Sequence, residues 1–336
     1  MILTSGTTGT PKGARRGKQP GLAEMTALLE KIPYRSGETT VISAPLFHSW
    51  GFANMTIQIA LGNTMVLRRR FNPAQSVEDV NRYDATGLVV VPVMLKRMLE
   101  LPENQKAIAP GTLRIIALSG SAFPADLAMA AADAYGEVCH NLYGSTEVAW
   151  ATIATPADLK AAPGCAGRPP RGVAVTLVND EGVEVPQGER GRIFVGNDML
   201  FEGYTGGGGK EVLEGMMSTG DVGYFDEGGR LFVEGRDDDM IVSGGENVFP
   251  EEVEDCINSH PAVLEAAVVG VPDEEFGQRL RAAVTLAPGQ AVTADELSAH
   301  VRDQLARYKV PREILFLDEL PRTATGKILR RKIAEL

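Results

Sequence analysis

Between Thr39 and Asn141, short runs of β-branched and apolar residues alternate with longer stretches of helical period. That alternation narrows the possible folds more than any other feature of the chain. TTVISAPL (Thr39–Leu46), MVLRR (Met65–Arg69), TGLVVVPV (Thr86–Val93) and LRIIALSG (Leu113–Gly120) each read as a buried strand. PAQSVEDVNRY, VMLKRMLEL and PADLAMAAADAYG read as the intervening helices, the last with Pro124 as a first-turn residue. Strands that alternate with helices pack as a mostly parallel sheet with helices on its faces, so the expected class is α/β.

Two changes of texture divide the rest. From about Pro163, short strands separated by Gly-rich turns (GVAVTLVND, EGVEVP, GERGRIFVG, GYFDEGGRLFVEG) predict a small antiparallel sheet or β-barrel-like subdomain. The four glycines Gly206–Gly209 read as a loop. Charge then concentrates at Gly235–Asp239, and a small α+β unit follows. In it, PEEVEDCINSH, ADELSAHVRDQLA and ILRRKIAEL are the helical segments, with VLEAAVVGVP and LRAAVTLAP as strands. A boundary near residue 236 therefore separates a large domain, 1–235, from a small C-terminal one, 236–336.

Composition excludes several function classes. With 336 residues, 44% of them hydrophobic, the chain can bury more than one core. Thirty-three basic against forty-four acidic residues give a net charge of -11, which argues against a broad nucleic-acid footprint. Cys139, Cys165 and Cys256 are widely spaced and odd in number, and the four histidines lack metal-site spacing, so neither a disulfide framework nor a zinc site is suggested. The longest apolar stretch, Leu88–Leu95, is too short to span a bilayer, and no signal segment follows Met1. A reduced, cytoplasmic protein that is not transmembrane is expected.

The first stretch able to carry chemistry is Leu3–Gly13, LTSGTTGTPKG. Its hydroxyls and glycines offer N–H and O–H donors to a polyphosphate without Cβ obstruction, and Lys12 adds positive charge. It is not a Walker A loop, because Pro11 stands where the second glycine belongs. Taken alone, the same string is equally well a flexible Thr/Gly turn.

Six further motifs follow in order: Ala44–His48 (APLFH), Ser119-Gly120-Ser121-Ala122, Asn141–Glu147 (NLYGSTE), Ser218-Thr219-Gly220-Asp221, Gly235–Asp239 (GRDDD) and Pro321–Lys327 (PRTATGK). Together with the Thr/Gly loop this series resembles the adenylate-forming (AMP-binding) superfamily, and the chain looks most like a bacterial fatty-acid or acyl-CoA synthetase. The resemblance implies ATP, Mg2+ and CoA as cofactors and co-substrates. It assigns Thr4, Ser5, Gly6, Thr7, Thr8, Gly9 and Lys12 to the phosphates. Ser119, Gly120, Ser121, Ala122, Asn141, Tyr143 and Gly144 are assigned to adenine, with Tyr143 stacking on it. Thr146 and Glu147 are assigned to phosphate and Mg2+. His48 borders the acyl pocket by the same resemblance, and Asp221 with Arg236 binds the ribose diol.

The resemblance also implies two half-reactions. A carboxylate attacks the α-phosphorus of ATP and expels pyrophosphate, with Lys327 bridging the reacting groups; a thiol then displaces AMP. Between the steps the C-terminal domain turns about Asp238, and Gly244 and Gly245 make room for the pantetheine arm. CoA is the favoured acceptor, and aryl-acid ligases and CoA-independent fatty acyl-AMP ligases are the nearest alternatives.

Members of the superfamily carry a long segment ahead of the phosphate loop, which this sequence does not show. The departure predicts exposed apolar surface and self-association through it. It leaves a second expectation beside the working ligase: a shortened nucleotide-binding protein with little or no ligase activity.

Overall fold

The computed structural model describes residues 2–4, 12–15, 21–205, 209–236, 241–243, 246–273, 277–323 and 327–336. They fall into two compact units, Met1–Thr219 with Gly223–Val233, and Gly220–Val222 with Glu234–Leu336.

In the first unit, β1 (Ile2–Thr4) and β2 (Lys12–Arg15) form an antiparallel pair that sets Thr4 opposite Lys12. Helix α1 (Leu22–Lys31) follows, then β3 (Thr39–Ile42), α2 (Ser49–Ala60), β4 (Thr64–Leu67), α3 (Pro73–Arg82) and β5 (Gly87–Val90). Next come α4 (Pro92–Leu99), the single turn α5 (Glu103–Lys106), β6 (Ile115–Ser119), α6 (Ala125–Tyr135), β7 (Cys139–Tyr143), β8 (Thr152–Ala154) and α7 (Pro156–Ala161). The sheet order is β4-β3-β5-β6-β7-β8, parallel throughout except for the β7–β8 pair. The expected helix-flanked, mostly parallel sheet is present.

The central strands are apolar on both sides because both faces are covered. Leu88, Val90, Ile116 and Leu118 pack with Val77, Val80, Leu95, Met98 and Ala128 from α3, α4 and α6. Their neighbours Val89, Val91, Ile115 and Ala117 point the other way and pack with Leu28, Trp50 and Ile57 from α1 and α2. Full burial of each such side chain stabilises by about 1.5–3 kcal/mol, so one strand ties two layers together.

Several boundaries differ from the expectation, each for a local reason. The run Thr86–Val93 stops being strand at Val90, because Pro92 takes the first position of α4 and holds Val91 extended as its N-cap. Pro124 is the N-cap of α6, so the helix begins one residue later, at Ala125. Helices α1 and α2 were not anticipated. In α2 the buried face includes Asn54 and Gln58, which blur the apolar period. The Tyr34 hydroxyl donates to Asn54 Oδ1 at 2.9 Å and the Thr40 hydroxyl to Gln58 Oε1 at 3.1 Å, so both amide oxygens are satisfied in the core, while Gln58 Nε2 has no partner among the described residues.

After α7 the strands shorten: β9 (Ala174–Val178), β10 (Gly191–Gly196), β11 (Gly203–Tyr204), β12 (Val212–Leu213), β13 (Met216–Phe225) and β14 (Leu231–Arg236). Five of them form a sheet in the order β12-β13-β10-β9, with β14 on β13. EGVEVP contributes a single bridge, Val178 to Glu184, in place of the expected strand. The sixth, β11, joins β2 instead, giving the three-stranded sheet β1-β2-β11.

The second unit contains β15 (Ile241–Ser243), β16 (Glu246–Val248), α8 (Pro250–Asn258), β17 (Val263–Asp273), β18 (Gly277–Leu286), α9 (Ala294–Gln304), β19 (Glu313–Phe316) and α10 (Arg330–Ala334). Its sheet runs β16-β15-β18-β17, with β19 parallel to β18. Ala266 and Val268 face α8 and α9, while Ala267, Val269 and Val271 face Ile333 of α10. The expected helix Ile328–Leu336 is shorter than its pattern, because Ile328 bridges to Arg322 and the Leu329 N–H donates to Pro321 O at 2.8 Å. Those bonds hold the first residues extended. The three cysteines are buried thiols. Among the described residues no helix is long and apolar enough to cross a membrane.

Candidate active site

Parallel pairing puts the C-terminal ends of β3, β5, β6 and β7 on one edge of the sheet, where ligands of open α/β sheets commonly bind. Three of the motif segments leave from that edge. Ala44–His48 follows β3, Ser119 ends β6, and Tyr143 ends β7.

His48 caps the N-terminus of α2, where its Nδ1 accepts from the Trp50 N–H at 3.3 Å. Burial lowers its pKa, so the imidazole is held neutral. Gly120 turns the chain after β6 with φ +99. A Cβ built there would lie 3.6 Å from Val91 Cγ1 and 3.8 Å from His48 Cε1. The structure therefore brings His48, Val91 and Gly120 together. Ser119 is buried, whereas Ser121 and Ala122 are exposed beside it.

The Asn141–Glu147 segment turns sharply out of β7. Asn141 is buried in the strand, and its Oδ1 has no hydrogen-bond partner among the described residues. Gly144 allows no side chain, since a Cβ there would sit 2.2 Å from Ala149 O. Ala149 itself takes φ 65, a left-handed conformation that closes the turn into β8. Tyr143 and Thr146 are half-buried.

Glu147 is held at three points. Its N–H donates to Ser145 Oγ at 3.2 Å, its carbonyl accepts from the Phe201 N–H at 2.8 Å, and its Oε1 accepts from the Tyr204 hydroxyl at 2.8 Å. Tyr204 belongs to β11, whose pairing with β2 sets Tyr204 opposite Ala14 and Gly203 opposite Arg15. The sequence reading missed Tyr204. The residues separating it from Glu147 carry no periodic relation, and its visible signal was an aromatic after a glycine just before the Gly206–Gly209 run.

Among the described residues no group of three or more His, Cys, Asp or Glu could hold a metal ion. A magnesium ion accompanying a nucleotide needs no such cage, because one or two carboxylates with substrate phosphates and water suffice. Glu147, anchored at its backbone and at one carboxylate oxygen and placed beside Thr146, fits that requirement.

Other expected positions are distributed elsewhere. Thr4 and Lys12 face each other across the β1–β2 pair. Ser5, Gly6, Thr7, Thr8, Gly9, Asp238, Gly244 and Gly245 lie outside the described residues. Asp221 follows Gly220 (φ 80) within β13, in the short segment that groups with the second unit, and Arg236 ends β14.

Lys327 is exposed in the second unit. Its N–H donates to Thr323 Oγ1 at 3.1 Å, and its carbonyl accepts from the Thr323 N–H at 2.8 Å. Arg322, bridged to Ile328, pairs with Glu265 and so fixes the base of that loop.

The AMP-binding enzyme family matches residues 1–205, and the AMP-binding enzyme C-terminal domain matches residues 252–327. An uncharacterized acyl–CoA ligase of Bacillus subtilis, YhfT, is 34% identical over 334 residues, covering 99% of this chain and 67% of the relative. The 2-succinylbenzoate–CoA ligase of Geobacillus kaustophilus is 37% identical over 343 residues, covering 100% of this chain and 69% of the relative. Among solved structures, ATP-bound MatB from Rhodopseudomonas palustris superposes with a TM-score of 0.89 at 28% identity, over 99% of this chain and 67% of that one. The o-succinylbenzoate CoA synthetase of Bacillus subtilis in complex with ATP and magnesium gives 0.84 at 31% identity, over 98% and 68%. The chain thus spans about two thirds of the length of its relatives. Adenylate-forming CoA ligases use ATP, Mg2+ and CoA. With its two matched regions in order and a fold shared along almost its whole length, the chain belongs to the AMP-binding, adenylate-forming enzyme superfamily.

Proposed function

We propose that this chain activates a carboxylic acid with ATP and transfers the acyl group to CoA. The observation that carries the reading is the meeting, at one edge of the parallel sheet, of the neutral His48, Val91 and the Gly120 turn, with the anchored Glu147 turn leaving the same edge. In the first step a carboxylate oxygen attacks the α-phosphorus. The bond to the β-phosphate breaks, pyrophosphate leaves, and an acyl adenylate remains. In the second step the CoA sulfur attacks the acyl carbonyl, the bond to AMP breaks, and the thiol proton is released.

Positioning and charge neutralisation do most of such work, because phosphoryl transfer needs little covalent help. Thr4–Gly9 and Lys12 are assigned to the phosphates, and Tyr143 with the Gly120 and Gly144 turns to the base. Asp221 and Arg236 are assigned to the ribose. Glu147 and Thr146 would hold Mg2+, which when bound offsets charge on the phosphates. Lys327 neutralises the charge shared by the attacking carboxylate and the α-phosphate. Asp238 is the proposed hinge, and Gly244 and Gly245 admit the pantetheine arm.

The proposed acid is a fatty acid. Val91 and the uncharged His48 imidazole flank the Gly120 turn, and neither places a charge there against an apolar chain. ATP–pyrophosphate exchange with a panel of fatty and aryl acids tests the assignment. Fatty acids should support exchange, and Lys327→Ala should abolish it while thioester formation from supplied acyl adenylate persists. Nucleotide binding without exchange on any acid would sink the ligase reading, and exchange with aryl acids alone would replace the fatty acid.

A further inference from the structure

The segment Phe201–Tyr204 touches Glu147 twice and β2 once. The Phe201 N–H binds the Glu147 carbonyl, the Tyr204 hydroxyl binds its Oε1, and Gly203 and Tyr204 pair with Arg15 and Ala14. All these residues lie in the first unit. One short strand therefore sets the register between the Glu147 turn and the strand that begins at Lys12. Glutamate has three side-chain torsions, and a half-buried carboxylate on a turn keeps a single orientation only if something holds it. Because the carboxylate turns as a rigid plane, fixing Oε1 also fixes the direction of Oε2.

The ring and the hydroxyl of Tyr204 do separable work. The ring stands edge-on to Phe201, with centroids 4.9 Å apart and planes at 66°, and packs against the cluster around Ile193, Val195 and Leu231. Phenylalanine would keep that packing. The hydroxyl is the group that donates to Glu147.

We propose that Tyr204 is a positioning residue, whose hydroxyl orients the Glu147 carboxylate toward a nucleotide-bound Mg2+ and keeps it in register with β2. The inference rests on the adenylation reading for the identity of the ligand. Its consequence is a specific defect: loss of the hydroxyl should weaken the Mg2+-dependent part of nucleotide binding and leave the Mg2+-independent part untouched.

The test uses the full chain with a fluorescent ATP analogue titrated at fixed Mg2+ and in EDTA. Wild type, Tyr204→Phe, Glu147→Gln and the double variant are compared, with melting temperature recorded for each. Tyr204→Phe should need about tenfold more Mg2+ for half-maximal binding, the effect of one lost charge-assisted hydrogen bond. Its affinity in EDTA should match wild type, and its melting temperature should fall by no more than a few degrees. In the Glu147→Gln background, Tyr204→Phe should add nothing further, because the two residues act as one unit. An unchanged Mg2+ requirement, an equal loss in EDTA, or additive effects in the double variant would overturn the proposal while leaving the adenylation reading standing. Failure of the wild type to bind the nucleotide in any Mg2+ concentration would overturn both.

Discussion

Among the described residues of the candidate site, Gly144 is where side-chain space is most tightly limited. A Cβ there would approach Ala149 O to 2.2 Å and Trp150 Cα to 2.7 Å, and both obstacles are backbone. Relief requires moving the turn that joins β7 to β8, and with it Tyr143, Thr146 and Glu147. Gly144→Ala should therefore lower the exchange rate by roughly a hundredfold or more, with a fall in melting temperature of several degrees. Exchange kinetics with calorimetry check this, and near-normal activity would show that the turn relaxes without displacing Glu147. The sequence marked Gly144 only as part of a motif. Why glycine is needed there depends on the left-handed Ala149, which closes the turn back onto it.

At the scale of elements, side chains cap the outer edge of the second unit's sheet at Val268. Beyond β17 no further strand pairs among the described residues, yet both backbone groups of Val268 on that side are satisfied. Its N–H donates to Glu254 Oε1 at 2.5 Å, and its carbonyl accepts from Arg330 Nη1 at 2.6 Å. Glu254 and Arg330 also pair with each other, Nη2 to Oε2 at 3.0 Å. The pair occupies the place of a neighbouring strand and ties α8, β17 and α10 together. Glu254→Ala removes the acceptor from Val268 and the nearest anion from Arg330, and should cost about 2–4 kcal/mol. Denaturant unfolding and amide exchange over α10 are the measurements. Unchanged protection of α10 would show that Ile333 packing alone holds it. This short helix follows the Lys327 loop, so its docking sets where that loop is rooted.

At the scale of the molecule, the two units have separate cores. Ile257 is fully buried among Val253, Val268, Ala282 and Leu297, all in the second unit, while Leu88, Ile116 and Leu118 lie in the first. Ile257→Ala should cost about 2–5 kcal/mol locally. It should speed amide exchange in α8, β17 and β18 while β5 and β6 keep wild-type protection. Equal loss in both units would mean that they unfold as one. Much of the fold class was legible in the sequence. Periodic burial over Thr39–Asn141 determined the strand–helix alternation, and local turn chemistry marked the motif segments, because both arise from neighbours a few residues apart. The helix α2 was hidden because its buried face carries Asn54 and Gln58, whose partners Tyr34 and Thr40 lie far away in sequence. The candidate site divides the same way. The sequence by itself determined which residue types could bind phosphate, base and metal. Only the tertiary structure decided that His48, Val91 and Gly120 meet, and that Glu147 is oriented by Tyr204 across 57 residues, because such contacts depend on which strand ends the sheet brings side by side.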